Sequence, residues 1–414
     1  MKICHICYFA ARGGAATAAM RLHRALLKQG EDSHFMAVVH ENLPDVIPLG
    51  TPQKQFFMRQ FQRFVHHSYR LAGSTNYSGH TFQLFPGGLL PEILDQHPDI
   101  IHLHSIVGEM MSVPEIGRLC RNARVVWTFH DGWPYLGTEQ YHIPGTPPRY
   151  REGYTRSNHT DRGIDLDRFY WNRKLRYWKE MPLRIISPSN YLAREIRESV
   201  LFFNHPVTVI PHGLSAEEFA PGDRNAACAR LNLNPAADYI GLAAVDFRNR
   251  VKGGDLAQLL LEKIPATDSR TIFLVAGAAP ELAALQSTGR VRCLDTLSQQ
   301  EMKYFYQVLT MFFNPTRLES FGLTNQEALF SGIPVLSTNR SAVPEVVEHL
   351  QTGYLADPQK TDDFLRGMDY IRRNRPRLSE NARLSALKKF SAEQMAARHI
   401  ALYREMIISH NSSC

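Results

Sequence analysis

The sequence predicts an α/β protein of two successive Rossmann-like domains. Its 414 residues are more than one ordinary core accommodates. Apolar strand-like runs alternate with helical segments from Lys2 onward, which is typical of parallel sheets. The alternation stops between Pro211 and Gly222, where proline and glycine cluster, and restarts at Tyr239. We therefore expect domains at 1–212 and 213–390, followed by a last helix and tail at 391–414.

The first domain opens with a strand over Lys2–Tyr8, a loop, a helix over about 16–29 and a strand over Ser33–Val39. The loop contains Gly13 and Gly14, which allow close approach of a ligand to the backbone at the carboxyl end of the first strand. The pattern is not GxGxxG, so a dinucleotide is not predicted. A plain strand-to-helix turn is the alternative interpretation.

Two further strands are predicted at 100–104 and 124–129. His102 and His104 fall on one face of the first of these strands, where they could both bind a metal ion. The sequence places no third ligand beside them, so we predict no metal site. His130 and Asp131 follow the second strand, at the edge where parallel sheets bind ligands. They are candidate site residues.

The stretch 135–167 is rich in proline, glycine, tyrosine and arginine, and it shows no period, which predicts a long loop or lid. A helix over 168–179 and a strand over 183–186 follow. Ser189 or Asn190 is expected to cap the next helix.

The second domain carries two chemically distinctive loops. A strand over 239–245 leads into a basic, glycine-containing loop with Arg248, Arg250 and Lys252. A strand over 311–314 leads into the second loop, which holds Glu319 and ends where a helix starts near Gly322 to Thr324. Glu327 falls inside that helix, which Gly332 closes. Helix amides and acids near one another suit a ligand with both phosphate and hydroxyl groups.

After this helix the chain is predicted to continue with a strand near Tyr354 and helices at about 362–374, 380–390 and 391–408. Two α/β domains joined by a hinge would place both sets of strand ends on one interdomain cleft.

The net charge of +7 is concentrated in the first half, where residues 1–212 hold 24 Lys and Arg against 18 Asp and Glu. Two basic stretches, 54–70 and 168–179, are interleaved with aromatic residues. Such helices can contact an anionic membrane or a lipid-linked substrate. The alternative is that the aromatic residues face the core. The membrane interpretation is favoured only if both helices lie on one surface.

The six cysteines are scattered, which suits free thiols, including the Cys4 and Cys7 pair in the first strand. No apolar run approaches the length of about 18 to 20 residues that a membrane helix needs. We expect a cytoplasmic protein, with a peripheral position on the inner face of the plasma membrane if the basic helices bind lipid. No nucleic-acid partner is expected.

Several motifs together resemble the retaining GT-B glycosyltransferases of family four, and among them the colanic-acid-type enzymes of bacterial surface polysaccharide synthesis. They are Gly13-Gly14, TFHD at 128–131, SPSNYLA from 187, VIPHGL from 209, Lys252-Gly253 and the Glu319 to Glu327 pair followed by SGIPVLS. The resemblance covers nearly the whole chain. It implies a last helix that crosses back to the first domain.

The resemblance also implies roles for individual residues. His130, Lys252 and Glu319 would be catalytic. The donor would be held by Gly13, Gly14, Arg248, Lys252, Glu319, Phe321, Gly322, Leu323 and Glu327, and the acceptor by His104 and Asp131. Arg250 lies within reach of the role given to Arg248. Two departures are His212, where the family often has Asn, and the absence of cysteine from 135–167.

The implied reaction moves a hexosyl-type sugar from a nucleoside diphosphate sugar to a saccharide or a polyprenyl or other lipid-linked acceptor, with retention of configuration and without a metal or cofactor. The product would be polysaccharide, exopolysaccharide or lipopolysaccharide. Paired acids could instead belong to a glycosidase, but the basic phosphate site argues against it. The rival functions are a nucleotide-sugar epimerase and an inactive binding subunit of a synthase complex. The sequence does not distinguish UDP from GDP donors.

Overall fold

The computed structural model describes residues 1–41, 43–71, 80–160, 163–264, 270–283, 285–294 and 296–411. Two residues of the predicted lid, 161 and 162, and the end of the predicted tail, 412–414, lie outside the described residues. The chain forms two compact units, which are treated separately: unit 1 comprises Met1–Gly213 and Glu393–Cys414, and unit 2 comprises Leu214–Ala392.

Unit 1 is built on a seven-stranded parallel sheet of order β3-β2-β1-β4-β5-β6-β7. Its strands are Lys2–Phe9 (β1), Asp32–Val39 (β2), Val46–Pro48 (β3), Ile100–Leu103 (β4), Val125–Thr128 (β5), Arg184–Ser187 (β6) and Val207–Val209 (β7). Its helices are Gly13–Lys28 (α1), Pro52–Leu71 (α2), Leu90–Leu94 (α3), Val113–Asn122 (α4), Arg149–Glu152 (α5), Leu166–Trp178 (α6) and Asn190–Glu198 (α7).

Unit 2 is built on a six-stranded parallel sheet of order β10-β9-β8-β11-β12-β13. Its strands are Asp238–Asp246 (β8), Thr271–Ala278 (β9), Val291–Leu294 (β10), Leu309–Asn314 (β11), Val335–Thr338 (β12) and Gly353–Ala356 (β13). Its helices are Arg224–Arg230 (α8), Gly254–Lys263 (α9), Pro280–Ala283 (α10), Gln299–Val308 (α11), Leu323–Phe330 (α12), Val343–Val346 (α13) and Thr361–Lys389 (α14). The last helix of the chain, Ala392–Asn411 (α15), belongs to unit 1 from Glu393 onward.

Each sheet reverses its strand order once, and this reversal determines where a ligand can bind. In unit 1 the reversal lies between β1 and β4, and in unit 2 it lies between β8 and β11. Helices that follow neighbouring strands leave toward opposite faces there, so a crevice opens at the carboxyl ends of the two strands. The loops after these four strands are therefore the first places to look for a site.

One prediction of local structure was wrong. The helices expected at 362–374 and 380–390 are one continuous helix, α14, although it contains Pro376. Phe364, Met368 and Ile371 pack in one core cluster of unit 2, and Ala382 and Ala386 pack in another. Packing at both ends therefore offsets the proline, which removes one hydrogen bond and costs about 3 kcal/mol.

The prediction of a long loop at 135–167 is confirmed for its described part, which is mostly irregular. The described part includes the short helix α5, and α6 begins at Leu166. The side chains of Tyr135, Leu136, Tyr150 and Tyr154 are buried. In the described part of this segment the aromatic residues therefore contribute to the packing of unit 1.

The capping prediction is confirmed, because Ser189 is the N-cap of α7 and its Oγ accepts a hydrogen bond from Leu192 N at 3.1 Å. Among the described residues, none of the helices has the length and apolar character to cross a membrane.

Candidate functional site

The strand reversal in unit 2 brings its two distinctive loops together. After β8 the chain makes a short 3-10 turn over Arg250–Lys252 and enters α9 at Gly254. Gly253 has a φ of +70°, and a Cβ there would lie 2.0 Å from the carbonyl oxygen of Pro315, which follows β11. Only glycine lets the two loops approach this closely.

The two loops are joined by an ion pair. Lys252 Nζ lies 2.8 Å from Glu319 Oε1, and the exposed fractions of the two side chains are 29% and 13%. The main chain of Glu319 is also held in place, since its N–H donates to the side-chain Oγ of Ser341 at 2.8 Å. A partly buried ammonium group and a carboxylate therefore stand side by side at the carboxyl edge of the sheet.

Two other basic residues of the loop region pair with acids. Arg248 is exposed and hydrogen bonds to both carboxylate oxygens of Asp246, which lowers the pKa of Asp246. Arg317 forms a bidentate salt bridge with Asp255, in which Nη1 donates to Oδ1 and Nη2 to Oδ2, each at 2.7 Å. The role of Arg248 toward a ligand remains a prediction.

The helix α12 starts where the sequence predicted, at Leu323, with Gly322 as N-cap at a φ of +100°. The Phe321 ring is buried and packs edge-on against Phe390 at 5.6 Å. These contacts fix the turn, so that the amides at the start of α12 are held at the same edge of the sheet as Glu319.

Glu327 lies about one turn inside α12 and is only 8% exposed. Tyr306 of α11 donates its hydroxyl to Glu327 Oε2 at 3.0 Å and lies 3.2 Å from the carbonyl oxygen of Thr324. The phenol holds one carboxylate oxygen in place. A carboxylate has acceptor capacity beyond one such bond, so Glu327 could also accept from hydroxyl groups of a ligand.

In unit 1, His130 and Asp131 follow β5, and Gly13 begins α1 after β1. Burial lowers the pKa of His130 to about 3, so its imidazole is neutral at neutral pH. Burial raises the pKa of Asp131 to about 6, although Trp133 N donates to its Oδ1 at 3.0 Å. The His130 ring also stacks on His212, with centroids 5.2 Å apart.

Gly13 has a φ of +82°, and no atom of the described residues lies within 4 Å of the place a Cβ would occupy. None of the described residues therefore fills the side of this turn on which a side chain would lie. Gly14 is the second residue of α1, so both glycines stand at the amino end of a helix, where backbone N–H groups have no partner within the helix.

The structure brings together a histidine cluster that the sequence did not place. His5 of β1 is the register partner of His102 of β4, and one ring nitrogen from each of His5, His102 and His104 lies within 4.8 Å of the others. No sequence pattern points to His5, which lies within an ordinary apolar strand.

The hydrogen bonds of this cluster are better suited to packing than to a metal. His102 contacts Tyr403 Oη and Thr128 Oγ1, each at 2.7 Å. The rings of His102 and His104 lie 4.0 Å apart and only 31° from parallel, so lone pairs that lie in the ring planes do not converge on one ion. The absence of a metal nevertheless remains a prediction.

Lys174 of α6 is a second residue that the sequence did not single out. It is fully buried, its Nζ donates to the carbonyl oxygens of Trp133, Leu136 and Gly137, and it lies 4.2 Å from the Trp133 ring centroid. Burial lowers its pKa to about 7, opposed by Glu139. Lys174 therefore anchors the segment that follows His130 and Asp131.

Comparisons with known proteins agree with the resemblance. A family model described as Glycosyltransferase Family 4 matches residues 12–218, and one described as Glycosyl transferases group 1 matches residues 239–386. The D-inositol 3-phosphate glycosyltransferase of Rhodococcus opacus (strain B4) is 29% identical over 231 residues, which is 50% of this chain and 49% of that protein. The chain spans about half the length of the first curated relatives it matches.

A longer match is to the putative colanic acid biosynthesis glycosyl transferase WcaC of Escherichia coli (strain K12), which is 24% identical over 364 residues, or 82% of this chain and 83% of that protein. Among solved structures, Anabaena HepE in complex with UDP-glucose covers 100% of both chains with a TM-score of 0.63 at 14% identity. The predicted fold class, two Rossmann-like α/β domains of the GT-B type, is confirmed. The chain belongs to glycosyltransferase family 4.

Proposed function

We propose that this protein is a retaining, metal-independent glycosyltransferase that moves a sugar from a nucleoside diphosphate sugar to a saccharide or lipid-linked acceptor in surface polysaccharide or lipopolysaccharide synthesis. The observation that carries the proposal is the Lys252–Glu319 ion pair at 2.8 Å, at the strand reversal of unit 2. An ammonium group there suits the phosphates of the donor, and the neighbouring carboxylate suits hydroxyl groups of its sugar.

In this reaction a nucleoside diphosphate leaves, so negative charge grows on its outer phosphate. A fixed cation and the N–H groups at the start of a helix stabilise such charge without rearrangement. We assign Lys252 and the amides of Phe321, Gly322 and Leu323 to this task, with Arg248 as an additional cation. Side chains would then supply the positive charge, and no metal is required.

We assign the hydroxyl groups of the donor to the two glutamates. Glu319 would accept from hydroxyl groups of the sugar, and Glu327 from the ribose. Comparison with the HepE complex supports a nucleotide of the UDP class. His130 of unit 1 is assigned to the transferred sugar, Gly13 and Gly14 to the phosphate, and Asp131 to the acceptor. The acceptor contact expected of His104 is not carried forward, because its ring is 3% exposed and its two nitrogens lie 2.9 Å and 3.2 Å from nitrogens of His5 and His130.

For retention of configuration we favour front-side attack, in which an oxygen of the leaving phosphate takes the proton of the acceptor hydroxyl. The acceptor oxygen bonds to the anomeric carbon on the face from which the phosphate departs. No side chain then serves as nucleophile, so neither Glu319 nor Glu327 forms a covalent intermediate.

A donor screen followed by a transfer assay tests the proposal. UDP, GDP and their sugars are screened for an increase in melting temperature, and the stabilising donor is then tested with simple saccharide acceptors. A ligand at about 100 times its Kd adds roughly 2.7 kcal/mol of stability. NMR of the product should show the anomeric configuration of the donor, and excess EDTA should leave the rate unchanged. An inverted product would contradict retention, and a rate abolished by EDTA would contradict metal independence.

The surface of unit 1 supports a peripheral position on an anionic membrane. On α2, Phe56, Phe57 and Phe64 are 55%, 60% and 67% exposed. Phe57 and Phe64 are seven residues apart and therefore share a helix face. Arg59 and Arg63 of the same helix are exposed as well.

The second basic helix, α6, is a neighbour of α2. Val65 of α2 and Tyr170 of α6 belong to one small core cluster with Phe82, and Phe169 of α6 is exposed. The shared cluster places the two helices next to each other in unit 1, but the aromatic residues Tyr170, Trp171 and Trp178 of α6 face the core, so the membrane proposal depends on α2 and Phe169. Exposed rings beside arginine suit the interface of an anionic bilayer.

We expect the protein to float with vesicles that contain anionic lipid and to be released by salt. Replacing Phe56, Phe57 and Phe64 together by serine should abolish flotation, because most of the exposed apolar surface of α2 is lost. The matched control is Leu384→Ser, which removes a residue of similar exposure, 58%, from α14 in unit 2. Equal flotation of the triple variant and the control would exclude α2 as the contact, and no binding by the unaltered protein would reject the membrane proposal.

A further inference from the structure

Three imidazoles of unit 1 form a continuous hydrogen-bonded line from the centre of the sheet to the candidate site. His5 Nδ1 lies 2.9 Å from His104 Nε2, and His104 Nδ1 lies 3.2 Å from His130 Nε2. The three residues come from three adjacent strands or the loops that follow them, since β1, β4 and β5 are neighbours. His5 is 0% and His104 3% exposed, while His130 is only partly buried.

Each ring in this line is neutral. Burial lowers the pKa of His5 and of His104 well below the ordinary value, and that of His130 to about 3. A neutral imidazole carries one ring proton, so one nitrogen donates and the other accepts. The tautomers of the three rings are therefore coupled, and only two arrangements satisfy both hydrogen bonds.

The inner end of the line distinguishes the two arrangements. His5 Nε2 is buried, and it has no hydrogen-bond partner among the residues that the structure describes. If the bonds ran inward from His130, this nitrogen would carry a proton without an acceptor. If they run outward, it holds only an unused lone pair. Buried N–H groups without an acceptor are rarer than acceptors that lack a donor, which favours the outward direction.

We propose that His5 and His104 are positioning residues that fix the tautomer of His130, so that His130 holds its proton on Nδ1 and offers this N–H to an oxygen of the transferred sugar. His5 Nδ1–H donates to His104 Nε2, and His104 Nδ1–H donates to His130 Nε2. The contact with the sugar rests on the proposed function, whereas the tautomer itself does not.

The tautomer can be measured without substrate. Long-range ¹H–¹⁵N NMR spectra of the full-length protein, labelled with ¹⁵N-histidine, distinguish a proton on Nδ1 from one on Nε2, and His130→Gln assigns the signals. We expect His130 in the Nδ1–H form, with loss of that form in His104→Phe. An Nε2–H form in the unaltered protein, or an unchanged His130 signal in His104→Phe, would overturn the proposal.

Because a buried ring replacement can affect folding, two further variants are needed. His5→Phe removes only the inner end of the line, and its ring can pack on Phe35, whose centroid lies 6.3 Å from that of His5. His104 Nε2 then becomes the buried nitrogen that lacks a donor, so the same argument predicts that His130 keeps its Nδ1–H form in this variant. The matched control is His102→Phe, because His102 is equally buried but bonds to Tyr403 and Thr128 outside the line. Loss of the Nδ1–H form of His130 in a folded His102→Phe, to the same extent as in His104→Phe, would count against the line.

Activity provides the test of the sugar contact. His104→Asn places an amide nitrogen where Nδ1 was, and this nitrogen can still donate to His130 Nε2. We expect His104→Phe to lower kcat/KM roughly 10- to 100-fold, as other changes to groups that orient a functional histidine do, and His104→Asn to restore most of it. Equal rates for the two variants would overturn the sugar contact. Absence of transfer in the unaltered protein would instead reject the proposed function, while the NMR result still decides the tautomer.

Discussion

Lys252→Ala should lower kcat/KM for glycosyl transfer by at least about 100-fold, the usual consequence of removing one preorganised donor from a site where charge develops. The ammonium group lies 2.8 Å from Glu319 Oε1 and is held by a 3-10 turn whose next residue, Gly253, packs on the backbone of Pro315. Alanine keeps this turn but removes the cation. Glu319 would then face the donor phosphates without a compensating charge, which adds repulsion to the lost stabilisation.

The loss should be specific to this lysine. Lys263 of α9 also forms an ion pair, with Asp362 at 2.5 Å, but both side chains are exposed. Exposed pairs of this kind contribute little to stability, because water and salt screen them, so Lys263→Ala should retain full activity. Melting temperatures of both variants establish that the fold is intact. Full activity in Lys252→Ala would reject the assignment of the phosphate site.

The periodicity of the chain predicted most of the parallel strands, because strands buried on both faces are apolar runs bounded by turn residues. It failed at α14, where two helices were predicted, one on each side of Pro376. Propensity is local, whereas continuity of this helix depends on core contacts of Phe364 and Ala386 with different clusters. The lack of period at 135–167 correctly predicted a long irregular segment, but it did not indicate that Tyr135, Tyr150 and Tyr154 are buried.

The loops of the candidate site could be predicted for a different reason. Lys252, Glu319 and Glu327 stand in short, distinctive motifs, and the order of strands places their loops together. His5 and Lys174 have no such signal. His5 meets His104 across 99 positions of the chain, and Lys174 lies in a helix with four other charged residues, from which no sequence pattern distinguishes it. Their contacts exist only in the folded protein.

Glu327→Gln should weaken binding of the nucleoside diphosphate roughly 10- to 100-fold, since a hydrogen bond to a charged group contributes about 1.5–3 kcal/mol. Glutamine has the same size and can still accept from Tyr306, so α12 should remain in place. The substitution removes the negative charge of the group that would accept hydrogen bonds from the ribose hydroxyl groups. Isothermal titration with the stabilising nucleotide measures the loss.

A structural role for Glu327 makes a different prediction. If the carboxylate served only to hold Tyr306, then Tyr306→Phe would weaken nucleotide binding as much as Glu327→Gln does. If it accepts from the ribose, the 2′,3′-dideoxy nucleotide should bind the unaltered protein more weakly than the natural one, and Glu327→Gln should bind both nucleotides with similar affinity. The protein change and the ligand change then form a double-mutant cycle, whose coupling free energy isolates the contact. A coupling energy of zero would show that Glu327 does not contact the ribose.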